Sequence, residues 1–486
     1  MVDAVVSVVL DQLISSAFEE AIERVRRVTA VKAEVDKLTS NLLAIKAVLS
    51  DAEQKQVKEK GIRHWLDQLK EASCDMEDVF DEWITASRRL QIKGIPQEKT
   101  ELEDVFKQFT CLRALRICGE NVWEIGNSKI PKAMKNLIHL RFLKLSWLRI
   151  KELPETCCEL INLETLEINR CTRLKRLPQG MEKLMNLRHL IIMNHVYLEY
   201  MPRGIERLTG LRTLSEFVVG RTGGEHASKV CKLEALKGMN HLRGLLKIRM
   251  LGDLANVDEA KHVDLKEKKN LDRLELWFDN VGMPDENEEN DEAITKVLQL
   301  PPNLEYLGIL HYRGRSLIFP NWIESFNKLK KLLFIDCKKC ESMPPLGQLP
   351  SLEVLTIWYM DSVERVGDEF LGIENSCLHG ISSSSSSSLS TAFPKLKHLT
   401  IKGSKKWDEW YFAKEDITIM PQLNSLDISL CNNLKSLPDQ ILQSKTLENL
   451  TIEKCPILEV RFKKDTGEEW PKISHIPSIR IGHWYV

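Results

Sequence analysis

The chain has 486 residues, 43% of them hydrophobic and 29% charged, so it can bury a substantial core and falls outside the disordered class. Its 69 basic and 70 acidic residues leave a formal net charge of -1, so bulk electrostatics selects neither nucleic acid nor an anionic membrane. No run reaches the roughly 18 uninterrupted apolar residues of a membrane helix, and Met1-Val-Asp-Ala-Val-Val lacks the basic start of a secretion signal. The expected setting is a reducing intracellular compartment, in which the twelve cysteines stay unpaired.

Residues 1–93 have helical periodicity. Val28, Val31, Val35, Leu38, Leu42, Ile45 and Leu49 alternate spacings of three and four, which places them on one helix face. Ile62, Trp65, Leu66, Leu69, Met76, Val79, Phe80 and Trp83 make a second such face, with a reversal expected between Asp51 and Gly61. Antiparallel helices burying these stripes against each other would form a bundle; an extended coiled-coil dimer through the 28–49 stripe is the rival arrangement. Residues 94–111 read as a linker and cap helix. Gly94 and Pro96 end the preceding helix, Thr100-Glu-Leu-Glu103 has capping-box spacing, and Leu102, Val105, Phe106 and Phe109 share a face that could cover the first repeat.

From Leu112 to the last residues, 112–486, one pattern recurs. Leu140-Arg-Phe-Leu-Lys-Leu, Leu163-Glu-Thr-Leu-Glu-Ile, Leu187-Arg-His-Leu-Ile-Ile and Leu211-Arg-Thr-Leu fit L-x-x-L-x-L at a period of 23 to 24 residues. Further starts fall at Leu242, Leu271, Leu304, Leu329, Leu352, Leu396, Leu423 and Leu447. Each coil supplies one short strand to a shared parallel sheet and buries its leucines against its neighbours, leaving a long curved surface for contact. The fold class is therefore an α-helical bundle followed by an α/β solenoid with a parallel concave sheet. Cys171, Cys337, Cys431 and Cys455 each follow the last apolar strand residue by three, where a small buried side chain is expected. Insertions are expected near 220–230, 281–293 and 372–392. Asp285 to Glu292 carries six carboxylates, whose repulsion predicts a solvated loop, and the serine run at 382–388 predicts a flexible excursion. Pro471 to Ile481 reads as a final strand and cap.

Catalytic chemistry finds no constellation. Cys337-Lys-Lys-Cys340 has zinc-like spacing but no second ligand pair nearby, and a packing role fits it better. His189, His241 and His398 occupy variable strand positions and suit surface contact rather than base catalysis. No catalytic, metal or cofactor-binding residue is assigned, and the chain reads as non-enzymatic. Trp147, Trp277, Phe278, Trp358 and Tyr359 follow the strand cores closely, where they could anchor a protein partner on the inner face or pack along the sheet edge.

These residues resemble a plant intracellular immune receptor of the coiled-coil, nucleotide-binding, leucine-rich-repeat class. Glu77-Asp-Val-Phe-Asp-Glu-Trp83 resembles the EDVID-type motif of the Rx-type helical domain, with Phe80 in place of isoleucine, and Trp65-Leu-Asp-Gln-Leu-Lys and Ala47-Val-Leu-Ser-Asp-Ala-Glu match the same domain. The pairs Leu153-Pro, Leu177-Pro and Met201-Pro resemble the plant receptor repeats. The resemblance implies a defence role, with a pathogen effector or a guarded host protein as partner, and related immune receptors as partners of the helical domain. It implies a cytoplasmic protein, peripheral to membranes only through associates. It also implies that the acidic edge Glu77, Asp78, Asp81 and Glu82 docks onto basic repeat residues, with Arg113, Arg116, Arg141 and Lys144 as candidates; a merely solvated helix face is the other reading. The family's ADP or ATP is not expected here, because no G-x-x-x-x-G-K-[ST] cradle stands in the sequence. A scaffold that presents a client protein, or a truncated gene product, remains the alternative assignment.

Overall fold

In the computed structural model the described residues are 111–118, 130–193, 198–220, 227–278, 288–317, 326–372, 391–413 and 416–482, with a terminal strand at 484–485. They belong to one unit, Phe106–Val486. The expected helical bundle and the linker up to residue 110 lie outside them, as do 221–226, 281–287 and 373–390 of the expected insertions.

Strands β1 (Ala114–Cys118), β2 (Phe142–Ser146), β3 (Thr165–Asn169), β4 (His189–Met193) and β5 (Thr213–Leu214) form one parallel sheet in chain order. A second sheet runs from β6 (Glu216–Val218) through β7 (Gly244–Arg249), β8 (Leu271–Trp277), β9 (Tyr306–Leu310), β10 (Lys331–Ile335) and β11 (Val354–Trp358). Two small two-stranded sheets then pair β12 (Arg365–Val366) with β15 (Glu409–Trp410), and β13 (Thr391–Ala392) with β16 (Thr418–Ile419). The second sheet continues through β14 (His398–Lys402), β17 (Ser425–Ser429), β18 (Asn449–Glu453) and β19 (Ser478–Ile481), and ends at β20 (Trp484–Tyr485), which pairs antiparallel.

Most strands begin two residues after a leading leucine, and the leading leucines from Leu140 to Leu447 are no more than 2% exposed. Side chains alternate along a strand, so in the five-residue strands the second and fourth residues face the interior and the first, third and fifth lie on the other face. Each buried leucine contributes about 1.5–3 kcal/mol, and none could be buried within its own coil alone.

The residue after the strand is left-handed in coil after coil: Trp147, Arg170, Met250, His311, Asp336, Tyr359, Leu430 and Lys454, with Gly403 and Gly482 at the same place. Isolated non-glycine residues avoid this backbone region. Here it turns the following side chain inward, and Leu148, Cys171, Leu251, Tyr312, Cys337, Met360, Cys431 and Cys455 are all buried. The four cysteines therefore occupy the buried turn that their spacing predicts. Cys337 Sγ donates to the Ile309 carbonyl at 3.8 Å and Cys340 Sγ to that of Gly314 at 3.5 Å. Burial pushes the Cys337 thiol up to about 12, the opposite of what a thiolate ligand needs.

The two large sheets meet at one extra residue. Leu211-Arg-Thr-Leu-Ser-Glu-Phe places Phe217 where Glu216 would otherwise face inward, and Phe217 pairs with Ile248 while Leu214 pairs with Leu190. Ser215 spans the break: its Oγ donates to the Ile192 carbonyl at 2.9 Å and accepts from the Ile192 N–H at 2.7 Å. The displaced Glu216 is buried and forms an ion pair with buried Arg249 at 2.9 Å.

The expectation of a solvated acidic loop from Asp285 to Glu292 fails for its described part. Helix α1 (Val257–His262) packs against α2 (Glu288–Val297), which carries four of those acids, Glu288, Glu289, Asp291 and Glu292. Asp291 is fully buried and accepts from the Arg313 N–H at 3.0 Å, from Nε at 3.0 Å and from Nη2 at 2.7 Å. Glu292 accepts from the backbone N–H of Arg315 at 2.9 Å, and Glu288 pairs with Lys339 at 2.5 Å. Cations and turn N–H groups from the next coils thus offset the mutual repulsion on which the loop expectation rested. Gly252 makes room for this arrangement, because a methyl there would meet Arg313 Nη2 and Asp291 Oδ1.

Lys268 is fully buried as well; its Nζ donates to the Met239 carbonyl at 3.3 Å and to Asn240 Oδ1 at 3.4 Å, and desolvation lowers its pKa to about 8. The cost of carrying this charge is complete below the folded pKa and disappears as pH rises past the unfolded value near ~10.5. Lys268→Met should therefore raise stability at pH 7 by about 1–3 kcal/mol, with the gain fading above about pH 8 and gone above about pH 10.5. Denaturant unfolding across that range checks it; a loss at pH 7 would mean that the two hydrogen bonds outweigh the desolvation. Arg313→Met, which leaves Asp291 buried without its cation, should cost about 3–5 kcal/mol. Hydrogen exchange of α2 amides reads that loss, and unchanged protection would rule out the pair as the helix's anchor.

Candidate recognition surface

Five aromatic residues were expected on or beside the inner face, and the structure separates them. Trp147 occupies the left-handed turn after β2, 41% exposed, with the Arg170 guanidinium 4.5 Å from its ring centroid. Trp277 and Trp358 are half-buried at the last position of β8 and β11. Tyr359 occupies the left-handed turn after β11, and its ring lies so close to Gly403 of the next coil that any side chain there would collide with it. Phe278 is a correction. It is fully buried, edge-on to Tyr312 at 5.2 Å, and belongs to the core rather than to a contact surface. Its position just past the strand resembles that of Trp147, but here the chain folds the ring into the coil interior.

Strand register assembles a row that sequence spacing did not show. Leu310 of β9 is paired with Trp277 of β8 and with Ile335 of β10, Ile335 with Trp358 of β11, and Trp358 with Lys402 of β14. Four apolar residues thus stand side by side across four strands, Leu310 buried at 5% exposure and the other three half-buried. At the Trp277 end, Glu275 accepts from the indole Nε1 at 3.0 Å and from the Tyr306 hydroxyl at 3.3 Å, and pairs with Lys247 at 3.1 Å. The His311 ring lies 5.7 Å from Trp277, and its Nδ1 is 2.9 Å from Asp336 Oδ2. Desolvation tends to raise the Asp336 carboxyl, but Lys338 and His311 together hold it below its usual range. At the other end the Lys402 ammonium sits 5.4 Å from the Trp358 ring centroid.

Of the basic residues expected to receive an acidic motif, Arg141 pairs with Glu164 at 3.4 Å and Lys144 with Glu167 at 2.9 Å, while Arg113 and Arg116 are exposed on or beside β1. The acidic residues themselves, Glu77, Asp78, Asp81 and Glu82, lie outside the described residues. A different cationic feature stands out in the column directly after each leading leucine. Opposite charges pair along much of that column, as in Arg141–Glu164, Glu305–Lys330 at 2.9 Å and Glu353–Lys397 at 3.0 Å. Arg188, Arg212 and Arg243 instead follow one another on three successive coils, and among the described residues none forms an ion pair. Burial and then Arg243, Arg212 and Arg188 lower the pKa of half-buried His189 beside them. The repeated Leu-Arg step was visible in the sequence; the missing counter-charges needed the register.

No three acidic, cysteine or histidine residues gather as a cation site among the described residues, and none of their helices is long and apolar enough to cross a membrane.

Comparison with known proteins gives three family matches: the Rx N-terminal domain over residues 5–113, the R13L1/DRL21 leucine-rich repeats over 233–360, and the leucine-rich repeats of the plant disease resistance protein RPS2-like family over 316–463. A putative disease resistance protein of Arabidopsis thaliana is 41% identical over 357 residues, covering 72% of this chain and 23% of its own length. The putative disease resistance RPP13-like protein 1 of the same plant is 35% identical, covering 74% of this chain and 33% of itself. Disease resistance protein RGA2 of Solanum bulbocastanum is 32% identical, at 72% and 36%. The chain thus spans about a quarter to a third of the length of these relatives. Among solved structures, a leucine-rich-repeat protein of Leptospira interrogans aligns over 80% of this chain and 93% of its own, with 18% identity and a TM-score of 0.42.

The arginine column makes a direct prediction. In Arg212→Ala/Arg243→Ala, the His189 pKa should rise part of the way toward its ordinary value, because two positive neighbours go while burial stays. Imidazole resonances followed by NMR through a pH titration would show it; an unmoved midpoint would mean that solvent screens the column.

Proposed function

The chain belongs to the plant disease resistance proteins that join an Rx-type segment to leucine-rich repeats, and from that premise we propose that it acts in defence by recognising another protein on its inner solenoid face. The partner would be a pathogen effector or the host protein an effector attacks, met in the cytoplasm. The observation that carries this reading is the row of half-buried Trp277, Ile335 and Trp358, with buried Leu310 between the first two, set across four adjoining strands. Large apolar side chains on a rigid sheet bury area at little entropic cost, which is the usual make-up of an interface hot spot. Among the described residues no arrangement of acid, base and nucleophile competes with this reading, whose content is binding.

Nucleotide switching has no place in this proposal. Within this chain the Rx match ends at residue 113 and the first repeat strand opens at Ala114, with no phosphate-cradling G-x-x-x-x-G-K-[ST] stretch in the whole sequence. Association of the acidic Glu77–Glu82 segment with basic repeat residues belongs to the same proposal.

Two measurements test it. Calorimetry with ADP and ATP should give no saturable heat; stoichiometric binding would put a nucleotide step back into the mechanism. Proximity labelling in plant tissue should yield a reproducible partner whose affinity falls by roughly 2 kcal/mol or more in Trp358→Ala/Tyr359→Ala. Equal affinity of that variant, with its circular dichroism unchanged, would remove the inner face from the recognition site.

A further inference from the structure

The same row has a length, a spacing and one unneutralised end, and together these specify the shape of what fits it. We propose that it seats a single amphipathic α-helix of the partner, lying along the solenoid axis. The helix rests its apolar stripe on half-buried Trp277, Ile335 and Trp358, with buried Leu310 as the floor between the first two, and brings a carboxylate near its C-terminus against Lys402. This rests on the recognition reading and gives that surface a ligand chemistry.

Spacing is the first argument. Neighbouring strands stand about 4.8 Å apart, close to the 5.4 Å pitch of an α-helix, so one helical turn keeps step with one coil. Residues spaced four, three and four along a helix would keep step with the four strands, with a drift of only about 2 Å over the row, and three of them would meet a half-buried side chain while the second lies over buried Leu310. An extended peptide lies less well there. Its same-face residues recur at about 6.8 Å, so they fall out of step with the coils, and the strands' backbone groups are already used in the parallel ladder. Half-buried Leu333, Val354 and Thr356 lie on the same outward face of β10 and β11, which widens the row into a strip.

Charge sets the direction. At the Trp277 end, Lys247 is paired with Glu275 and Arg249 with Glu216, so that end asks for no counter-ion. Lys402 differs: it is half-buried over the Trp358 ring and forms no ion pair among the described residues. The negative end of a helix dipole and an acidic residue in its last turn both complement such a cation.

The test uses the full chain and a synthetic probe. The probe is an acetylated alanine- and glutamine-based helix of about 18 residues, with leucines spaced four, three and four and a glutamate in its last turn. Titration followed by tryptophan fluorescence should saturate, and a control peptide with the same composition but leucines at every second position should bind roughly tenfold or more weakly. Lys402→Glu should weaken the probe by a similar factor, and exchanging the probe's glutamate for lysine should restore binding to that variant. That reciprocal rescue requires a folded protein. Absence of saturation up to about 1 mM, equal binding of the two leucine patterns, or failure of the rescue would overturn the helix assignment. If the natural partner still depends on Trp358 and Tyr359 while the probe fails, the recognition reading stands and only the helical occupant falls.

Discussion

Every described coil depends on burying its leading leucines against the coils before and after it. That one contact explains why the strands are short, parallel and in register, and why the interior admits so little variation. It also explains a recurring backbone departure. Residues as unlike as Trp147, Asp336 and Lys454 share a left-handed conformation because the next side chain must enter the core, and stacking on both sides supplies the energy that an isolated turn would lack. Cysteine serves at several of these entries as a small apolar filler whose thiol still finds a carbonyl.

Where the sequence breaks the pattern, charge is taken inside and matched. The extra residue at Ser215 would face an acid into the core; instead the ladder parts, Ser215 bridges it and Glu216 finds Arg249. In α2, Asp291 is held by Arg313 from the next coil in three hydrogen bonds. Both pairs tie together chain segments more than twenty residues apart, and losing one partner would leave the other charged and dry. Lys268 makes the contrast: with two neutral acceptors and only the Coulombic pull of Asp264 against its desolvation, its proton is held weakly.

Because the core uses only alternate strand residues, the outward ones are free to vary without loss of fold. Two surfaces arise from that freedom. Three arginines on successive coils form a column of uncompensated positive charge beside His189, and four apolar residues form a row closed by ion pairs at one end and open to an anion at Lys402. Neither surface is a catalytic arrangement. Both are extended along the solenoid, as suits contact with another macromolecule.

The sequence by itself determined the repeat, its leading leucines, the buried cysteine turns and the family resemblance, because each is a local pattern that any coil shows alone. Which outward residues would become neighbours lay beyond it. Coil lengths here vary, so Trp277 and Leu310, 33 positions apart, become neighbours as surely as Ile335 and Trp358, which are 23 apart. The burial of Phe278 depends on Tyr312 in another coil, and Asp291 leaves solvent only because Arg313 arrives from the next one. Composition made that acidic segment look self-repelling, since the cations that neutralise it are distant in sequence and close only after stacking. Local pattern fixed the inside of each coil; register, which is a relation between coils, decided the surface.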